Sequence, residues 1–261
     1  MIGKTLDKIG SFILNVIKEL GKFTIFQLTI LKLTLKPPFR IKELISQIYF
    51  MGYGSLGVIF LTSFFTGLVE AVQLYNGFHK FGVEEFMGYT IFISIVKELG
   101  PVFTALMVIS RGISAYAAEL GSMRVTEQID ALEVMAVNSK QYLIIPRILA
   151  TIISLPLLIL FFDAVSNIGA YLISVYSLDV NGYAYLDNLR QFAEIKDINE
   201  GIIKGLIFGY IISAIGTYIG YNTKGGAKGV GQSTTKAVVY SSVAIFVADY
   251  VLSALFLVFN L

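Results

Sequence analysis

Five apolar runs occupy most of this chain, and each is long enough to cross a lipid bilayer. They cover residues 51–74, 86–110, 144–176, 201–221 and 237–259. A hydrocarbon core about 30 Å thick requires roughly 20 apolar residues in a helix. Charged residues make up only 15% of the sequence, whereas soluble domains contain roughly 25%. The sequence therefore predicts an all-α polytopic membrane protein with about five transmembrane helices.

The lysine and arginine residues are concentrated in three segments that alternate with the apolar runs. Of the 20 such residues, fifteen fall in residues 1–50, 110–147 and 221–236, whereas the segment 177–200 is acidic. Segments rich in lysine and arginine stay on the cytoplasmic side during membrane insertion. We therefore expect a cytoplasmic N-terminus and, after five crossings, a periplasmic C-terminus.

The first fifty residues have an amphipathic pattern, with apolar residues at helical spacing on one face and lysines on the other. The apolar face comprises Leu6, Ile9, Ile13, Val16, Ile17, Leu20 and Phe23. Such a helix suits the membrane interface, although packing on the rest of the protein would explain the same pattern. Pro37 and Pro38 end the helical region. We expect one domain, residues 1–261, with an interfacial region 1–50 and a transmembrane region 51–261.

One polar segment, Ser110–Arg147, is much longer than a turn between two spans requires. Its centre resembles a short helix, because Thr126 is a suitable N-cap and Glu127 and Asp130 favour a positive helix end. One face carries the apolar residues Ile129, Leu132 and Ala136. So short a helix is unstable alone. It would dock on its own membrane domain or in a groove of a partner, unless the segment is a solvated loop.

Two adjacent charged residues, Lys97 and Glu98, interrupt the second apolar run. Each costs about 2.5 to 3.5 kcal/mol at the bilayer centre unless it is paired or hydrated. We therefore expect both residues to face the protein interior or a cavity. Because neighbouring residues in a helix project about 100° apart, we do not expect Lys97 and Glu98 to pair with each other. Asp163 or Asp249 could neutralise Lys97. Two interpretations remain open, a polar clasp between helices and a contact with a lipid headgroup.

Small residues recur at four-residue spacing in the fourth run, as the pairs Gly205–Gly209 and Gly216–Gly220. Such pairs let a neighbouring helix approach closely. The spacing does not say whether that neighbour belongs to the same chain or to a second copy.

The composition excludes several functional classes. There is no cysteine and only one histidine, so neither a disulfide nor a zinc site can form. The stretch GAKGVGQS, Gly226–Ser233, has Gln232 where a phosphate-binding loop requires lysine. We interpret it as a loop between two spans. The net charge of +2 gives no indication of nucleic-acid binding.

Two motifs in these segments resemble a known family. They are AAELGSMRVTEQIDAL at Ala117–Leu132, flanked by Arg111 and by Pro146-Arg147, and GGAKGVGQSTTKAVV at Gly225–Val239. In this order they resemble the MlaE (YrbE) permeases of ABC-type lipid transporters, and the resemblance extends from about residue 97 to residue 239.

The resemblance implies that the segment between the second and third spans is a cytoplasmic coupling helix that sits on an ATPase subunit. It assigns that role to Glu119, Arg124, Glu127, Gln128, Asp130 and Leu132. It also implies a permease homodimer, an MCE-domain lipid-binding protein on the outer side, and phospholipid as cargo. ATP and Mg²⁺ would bind the ATPase, so we expect no cofactor and no enzymatic activity on this chain.

These observations predict the permease subunit of an ABC phospholipid transporter in a bacterial inner membrane, or alternatively in a plastid inner envelope. A secondary transporter driven by ions is the main alternative. It would use the intramembrane residues Lys97, Glu98, Asp163 and Asp249. The odd number of spans and the lack of a visible inverted repeat argue against it. A membrane scaffold without transport activity is the other alternative.

Overall fold

The computed structural model describes residues 2–259, and the side chains of residues 10, 11, 14, 15 and 17–259. Every regular element in this range is helical. The α-helices are α1 Ile2–Thr34, α2 Ile41–Met51, α3 Leu56–Phe78, α4 Met87–Ser94, α5 Gly100–Val108, α6 Ser114–Val125, α7 Gln128–Val134, α8 Ile145–Tyr176, α9 Gly182–Phe192, α10 Ile195–Tyr221 and α11 Gly226–Phe259. Short π-helical segments at Ile95–Leu99, Ile109–Ile113 and Lys140–Ile144 join α4 to α5, join α5 to α6, and precede α8.

Five helical stretches are long and apolar enough to cross a membrane, and we number them as spans. They are Ile41–Phe81, Glu84–Val125, Lys140–Tyr176, Ile195–Tyr221 and Gly226–Phe259. The predicted all-helical membrane fold with five spans is confirmed. The helices extend past the predicted runs, since the first begins at residue 41 instead of 51 and the fifth at residue 226 instead of 237. Apolar composition marks only the part of a helix that lies in hydrocarbon.

Successive crossings run in opposite directions, so the connecting segments lie at two ends of the bundle. We call one the basic end, which carries α1, residues 126–139 and residues 222–225. The other is the acidic end, which carries residues 79–86 and residues 177–194 with α9. Helices α1 and α9 are not among the five spans.

Helix α1 both packs on the bundle and exposes apolar side chains. Phe26 is buried, its ring centroid lies 5.2 Å from that of Tyr218 in α10, and Gln27 donates a 3.3 Å hydrogen bond to the Ala214 carbonyl. The predicted apolar side chains of Leu6, Ile9, Ile13 and Val16 lie outside the described residues. The exposed apolar residues farther along include Leu14, Ile17, Leu20, Ile25, Leu28 and Leu31. The helix ends at Thr34, before the predicted Pro37-Pro38 break.

The small residues of the fourth span contact helices of the same chain, which answers the question that their spacing left open. A Cβ atom at Gly209 would lie 2.9 Å from the Ile152 Cα atom in α8. At Gly220 it would lie 2.9 Å from the Ala117 Cα atom in α6. The backbones therefore approach too closely for larger side chains, and α10 is fixed between the second and third spans.

The fifth span lies at the periphery and begins earlier than expected. The glycine-rich stretch Gly226–Ser233, which we interpreted as a loop, forms the first turns of α11, so that interpretation was wrong. The chain reverses at Gly225 and Gly226, whose φ angles of 92° and 66° favour glycine. Farther along, α11 exposes an apolar face that includes Val243, Phe246, Val247 and Tyr250.

Candidate functional site

Charged side chains from the second, fourth and fifth spans meet between the middle of the bundle and the acidic end. Lys97 Nζ lies 2.9 Å from Asp197 Oδ1 and 3.0 Å from Glu200 Oε2. Both carboxylates belong to the start of α10 and are buried. The expectation that Asp163 or Asp249 neutralises Lys97 was therefore wrong. Sequence analysis did not identify Asp197 and Glu200 as partners of Lys97, because it assigned both to the polar loop 177–200.

Lys204 is the central residue of this cluster, and its side chain is fully buried. Its Nζ donates hydrogen bonds to the Lys97 carbonyl oxygen at 2.7 Å and to Ser253 Oγ at 2.8 Å. Glu98 Oε2 and Asp249 Oδ1 each lie 3.0 Å from the same nitrogen. An ammonium has three donors, so one of these four oxygens interacts through charge without a directed hydrogen bond. Lys204 thus joins the second and fifth spans to the fourth.

Sequence analysis missed Lys204, although a signal for it exists. Asp197, Glu200 and Lys204 recur at three- and four-residue steps and therefore lie on one face of a helix. Such a charged face within a span must turn away from lipid. The helix begins at Ile195, where Glu194 and Asp197 form a reciprocal capping box. Extending the fourth helix back to this cap would have placed all three residues in the membrane domain.

Glu98 and Asp163 lie in different surroundings. Glu98 Oε1 accepts a 2.9 Å hydrogen bond from Ser253 Oγ, while almost half of the side chain remains exposed. Asp163 is buried against Gly100, and its Oδ1 atom has no hydrogen-bond partner within the described part of the chain. The four predicted intramembrane residues therefore do not form one group. The Lys204 ammonium contacts the Lys97 carbonyl and the carboxylates of Glu98 and Asp249, whereas Asp163 has no contact with this lysine among the described residues.

We call Lys97, Glu98, Asp197, Glu200, Lys204, Asp249 and Ser253 the charge cluster. With all groups ionised, its two lysines face four carboxylates, which leaves a formal surplus of negative charge. Both ammonium groups are already in contact with carboxylates of the same chain. A lipid phosphate would have to displace one of them, so the geometry favours a clasp between helices over phosphate binding.

At the basic end, α6 and α7 form a bent, helical connection between the second and third spans. Ile129 is buried, and Leu132 packs with it against residues at the start of the third span. Thr126 ends α6 instead of capping α7, and Glu127 precedes α7 with a left-handed φ of 60°. Ala136 lies beyond the helix and is exposed. The predicted cap was therefore wrong because the chain bends sharply at Glu127, and the third apolar position was wrong because α7 ends at Val134 and Ala136 takes a left-handed φ of 60°.

Two sets of polar contacts fix α7 to the membrane domain. Arg124 Nη1 lies 2.7 Å from Asp130 Oδ1, so the short helix is paired to the end of α6. The Ser139 hydroxyl donates a 2.8 Å hydrogen bond to Glu133 Oε1 and lies 2.8 Å from the Tyr221 hydroxyl at the end of α10. A force applied to α7 would therefore reach the fourth span directly.

Glu119 contacts its own chain. Its Oε2 atom lies 2.8 Å from Nη2 of Arg147, which is buried at the start of α8. Arg147 also donates a 2.6 Å hydrogen bond to the Leu143 carbonyl, and its guanidinium lies over the Tyr116 ring. This ion pair joins α6 to the third span. It gives Glu119 a structural partner apart from any contact with another protein.

The outward surface of this connection is partly apolar, and we call it the coupling surface. It consists of Glu127, Gln128, Asp130, Ala131, Val134 and Met135. Val134 is 88% exposed and Met135 65% exposed. Sequence analysis selected the polar members Glu127, Gln128 and Asp130. It missed Val134 and Met135, because both lie in an apolar stretch that could equally have been buried. Charge and exposed apolar area together are typical of a docking surface.

Comparison with known proteins shows extensive similarity. The family model described as "Permease MlaE" matches residues 44–255. A "Probable ABC transporter permease protein" from Rickettsia bellii is 41% identical over 256 residues, covering 98% of this chain and 99% of the relative. The "Intermembrane phospholipid transport system permease protein MlaE" from Haemophilus influenzae is 32% identical, covering 98% of each chain. The chloroplastic "Protein TRIGALACTOSYLDIACYLGLYCEROL 1" from Arabidopsis thaliana is 41% identical over 82% of this chain and 61% of its own length.

Proposed function

The chain belongs to the MlaE permease family, and we propose that it is the membrane subunit of an ATP-driven phospholipid transporter. In this proposal ATP and Mg²⁺ bind a separate ATPase polypeptide, and this chain converts the movement of that partner into passage of lipid. The name of the Haemophilus relative, which covers almost the whole chain, supports phospholipid as the class of cargo.

The observation that carries the proposal is the rigid attachment of the coupling surface. Helix α7 is paired to α6 through Arg124 and Asp130, and to the fourth span through Glu133, Ser139 and Tyr221. A solvated loop would absorb the movement of a partner, whereas a braced helix transmits it. The exposed Val134 and Met135 supply apolar area that an ATPase groove would bury.

The charges of the two ends support one direction of insertion. We propose that the basic end, with α1 and the coupling surface, faces the cytoplasm of a bacterium, where ATP is available. The N-terminus is then cytoplasmic and the C-terminus periplasmic, with the chain in the inner membrane. The chloroplastic relative supports a plastid inner envelope as the alternative location.

We propose two further partners, each for one exposed surface of the bundle. We propose that a second copy of the chain covers the apolar face of α11, so that two permeases enclose a lipid pathway. The exposed part of Glu98 and the adjacent Asp249 would border that pathway.

At the acidic end, α9 exposes Tyr183 and Phe192. We propose that an MCE-domain protein exchanges lipid with the transporter at this surface.

The charge cluster also bears on the rival mechanism of ion coupling. A coupling site has to bind and release its ion during each cycle, whereas Lys204 is completely buried and shared among three spans. We therefore propose that the charge cluster holds the second, fourth and fifth spans together and does not bind a coupling ion. Transport that persists without ATP and follows an ion gradient would contradict this interpretation.

The test is association of the chain with an ATPase subunit encoded by the same organism. Glu127 is the sharpest site, because its side chain is exposed and forms no ion pair within the described residues, whereas Asp130 is paired with Arg124. We expect Glu127→Lys and Val134→Asp each to reduce copurification of the ATPase at least tenfold. Asp187→Lys, an exposed charge reversal at the acidic end, is the matched control and should have no effect.

Reconstitution in vesicles completes the test. With the ATPase present, lipid movement should require ATP, and the chain alone should hydrolyse none. ATP hydrolysis by the purified chain, or full ATPase association of Glu127→Lys and Val134→Asp together, would overturn the proposal.

A further inference from the structure

A cavity of about 260 Å³ lies at the basic end, between the end of α1, residues 35–40 and the start of the third span. Most of its wall is apolar, with Leu33, Leu44, Ile145 and Leu149 among the lining residues. The charged residues of the lining are Lys36 and Arg40, and both are cationic. We call this the junction cavity. It belongs neither to the charge cluster nor to the coupling surface.

The walls of the junction cavity are fixed by contacts within the chain. Gln141 Nε2 donates hydrogen bonds to the carbonyl oxygens of Lys36 at 2.7 Å and Pro38 at 3.4 Å. These bonds hold the segment between α1 and α2 on the first turn of the third span. The guanidinium of Arg40 lies 5.1 Å from the centre of the Tyr142 ring. The cavity is therefore formed before any ligand binds.

Arg40 has bonding capacity that the protein leaves unused. Its Nε atom is buried and has no hydrogen-bond partner in the described part of the chain. A buried donor without a partner costs about 1 to 3 kcal/mol, more when it is charged. The guanidinium as a whole forms no ion pair within the described residues, so an anion in the cavity would be its first charged partner, and Lys36 would add a second positive charge.

The surroundings place the cavity at the edge of the hydrocarbon region. Leu35, Phe39, Ile41 and Ile45 expose large apolar side chains around it, which in a membrane protein favours contact with acyl chains. An apolar cavity beside two cations, at the level of the headgroups, matches the two halves of a phospholipid molecule. We propose that the junction cavity holds a resident anionic phospholipid, with an acyl chain against Leu33, Leu44 and Leu149 and its phosphate at Lys36 and Arg40.

This lipid would be structural, and it is distinct from cargo. It would brace the junction where the interfacial helix α1 meets the first span. The inference requires only that the chain is embedded in a membrane, so it does not depend on the proposed transport function.

The experiment uses the full-length chain, purified and stripped of lipid in detergent, with lipid binding followed by native mass spectrometry. Phosphatidylglycerol and phosphatidylcholine with identical acyl chains are the probes. We expect one phosphatidylglycerol per chain to bind at least roughly tenfold more tightly than phosphatidylcholine. Lys36→Gln with Arg40→Gln should abolish most of this preference, because two cations near a lipid surface together contribute about 2 kcal/mol, roughly a thirtyfold change in affinity.

Lys32→Gln with Lys42→Gln is the matched control, since both lysines are exposed neighbours that do not line the cavity. This variant should keep the preference. Leu44→Trp fills the apolar part and should weaken both lipids. Glycerol phosphate, a soluble headgroup, should not compete with the lipid.

Several outcomes would overturn the inference. Equal binding of the two lipids would indicate a non-selective lipid layer, and an equal loss in the control would indicate general surface charge. Competition by glycerol phosphate would indicate a site for free anions. If the charge variant fails to fold, as judged by gel filtration and circular dichroism, unaltered lipid binding by Leu44→Trp would overturn the inference without it.

Discussion

Lys204 donates a hydrogen bond to the main-chain carbonyl of Lys97, 107 positions away and on another span. In a regular α-helix that carbonyl would accept from the N–H of residue 101, but Pro101 has no N–H. The chain also widens here into a π-helical segment, Ile95–Leu99. Proline thus removes the usual donor to this acceptor, and a buried lysine from the fourth span donates to it while contacting Glu98 and Asp249. Irregular backbone at a membrane helix is tolerated under such conditions.

Replacing Lys204 should destabilise the protein strongly. Lys204→Met keeps most of the side-chain volume but leaves Glu98 and Asp249 without their cation, which costs roughly 3 kcal/mol. We expect a clear fall in the thermal unfolding midpoint in detergent. Lys196→Met is the control on the same helix, because Lys196 is exposed and its nearest carboxylate contact is 3.8 Å long. Equal effects of the two substitutions would contradict the central role of Lys204.

The link between Pro101 and Lys204 can be isolated by a double-mutant cycle. Pro101→Ala restores an N–H that can reach the Lys97 carbonyl, so this acceptor no longer depends on Lys204. Lys204→Met should therefore cost roughly 1 kcal/mol less in the Pro101→Ala background, the usual net value of one hydrogen bond. Chemical denaturation of the four proteins measures the coupling. Strictly additive effects would show that the two residues act independently.

The apolar runs were sufficient to predict the spans, because membrane insertion depends on length and hydropathy. The partners within the charge cluster could not be predicted in the same way. Lys97 offered a choice of several carboxylates, and the pairing depends on how α10 is rotated and how far it extends before Gly201. Asp197 and Glu200 were assigned to a loop because their local composition is polar. Only the three-dimensional packing shows that the helix continues through them.

The coupling segment shows a different limit of sequence analysis. Helical periodicity predicted that Ile129 and Leu132 share one face, but it left open whether that face docks on this chain or on a partner. In the structure both residues pack against this chain. The bend at Glu127 was missed, since a left-handed backbone at a non-glycine residue is rare and leaves no compositional signal. It is maintained by surrounding contacts such as the Arg124–Asp130 pair.

Packing at Gly209 should tolerate no side chain. A Cβ atom there would lie 2.9 Å from both the Ile152 Cα atom and the Thr151 carbonyl oxygen, so Gly209→Ala must separate α10 from α8. We expect a loss of roughly 1 to 3 kcal/mol, the range for overpacking a tight interior. Gly231→Ala is the control, because its Cβ would meet open space and alanine favours a helix. In denaturant unfolding, Gly209→Ala should have a lower free energy of unfolding than Gly231→Ala. An unchanged free energy of unfolding for Gly209→Ala would contradict the close approach of α10 and α8.

Glu119 and Arg147 should behave as one unit. Glu119→Gln and Arg147→Met remove the same ion pair, so the double variant should lose less stability than the sum of the single losses, by at least about 0.5 kcal/mol. Arg147→Met alone should cost more than Glu119→Gln, since it also removes the hydrogen bond to the Leu143 carbonyl. Glu119→Gln should leave ATPase association intact, in contrast to Glu127→Lys. Loss of association in a stably folded Glu119→Gln variant would show that Glu119 contacts the partner directly.

The orientation of the bundle can be measured cleanly because the chain contains no cysteine. Val134→Cys labels the coupling surface and Tyr183→Cys labels α9 at the acidic end; the two native side chains are 88% and 81% exposed. We propose that the basic end faces the cytoplasm. In intact spheroplasts a membrane-impermeant maleimide should therefore modify Tyr183→Cys, whereas Val134→Cys should react only after permeabilisation. The opposite labelling pattern would place the coupling surface on the side of the membrane without ATP. It would contradict the proposal that this surface binds an ATPase.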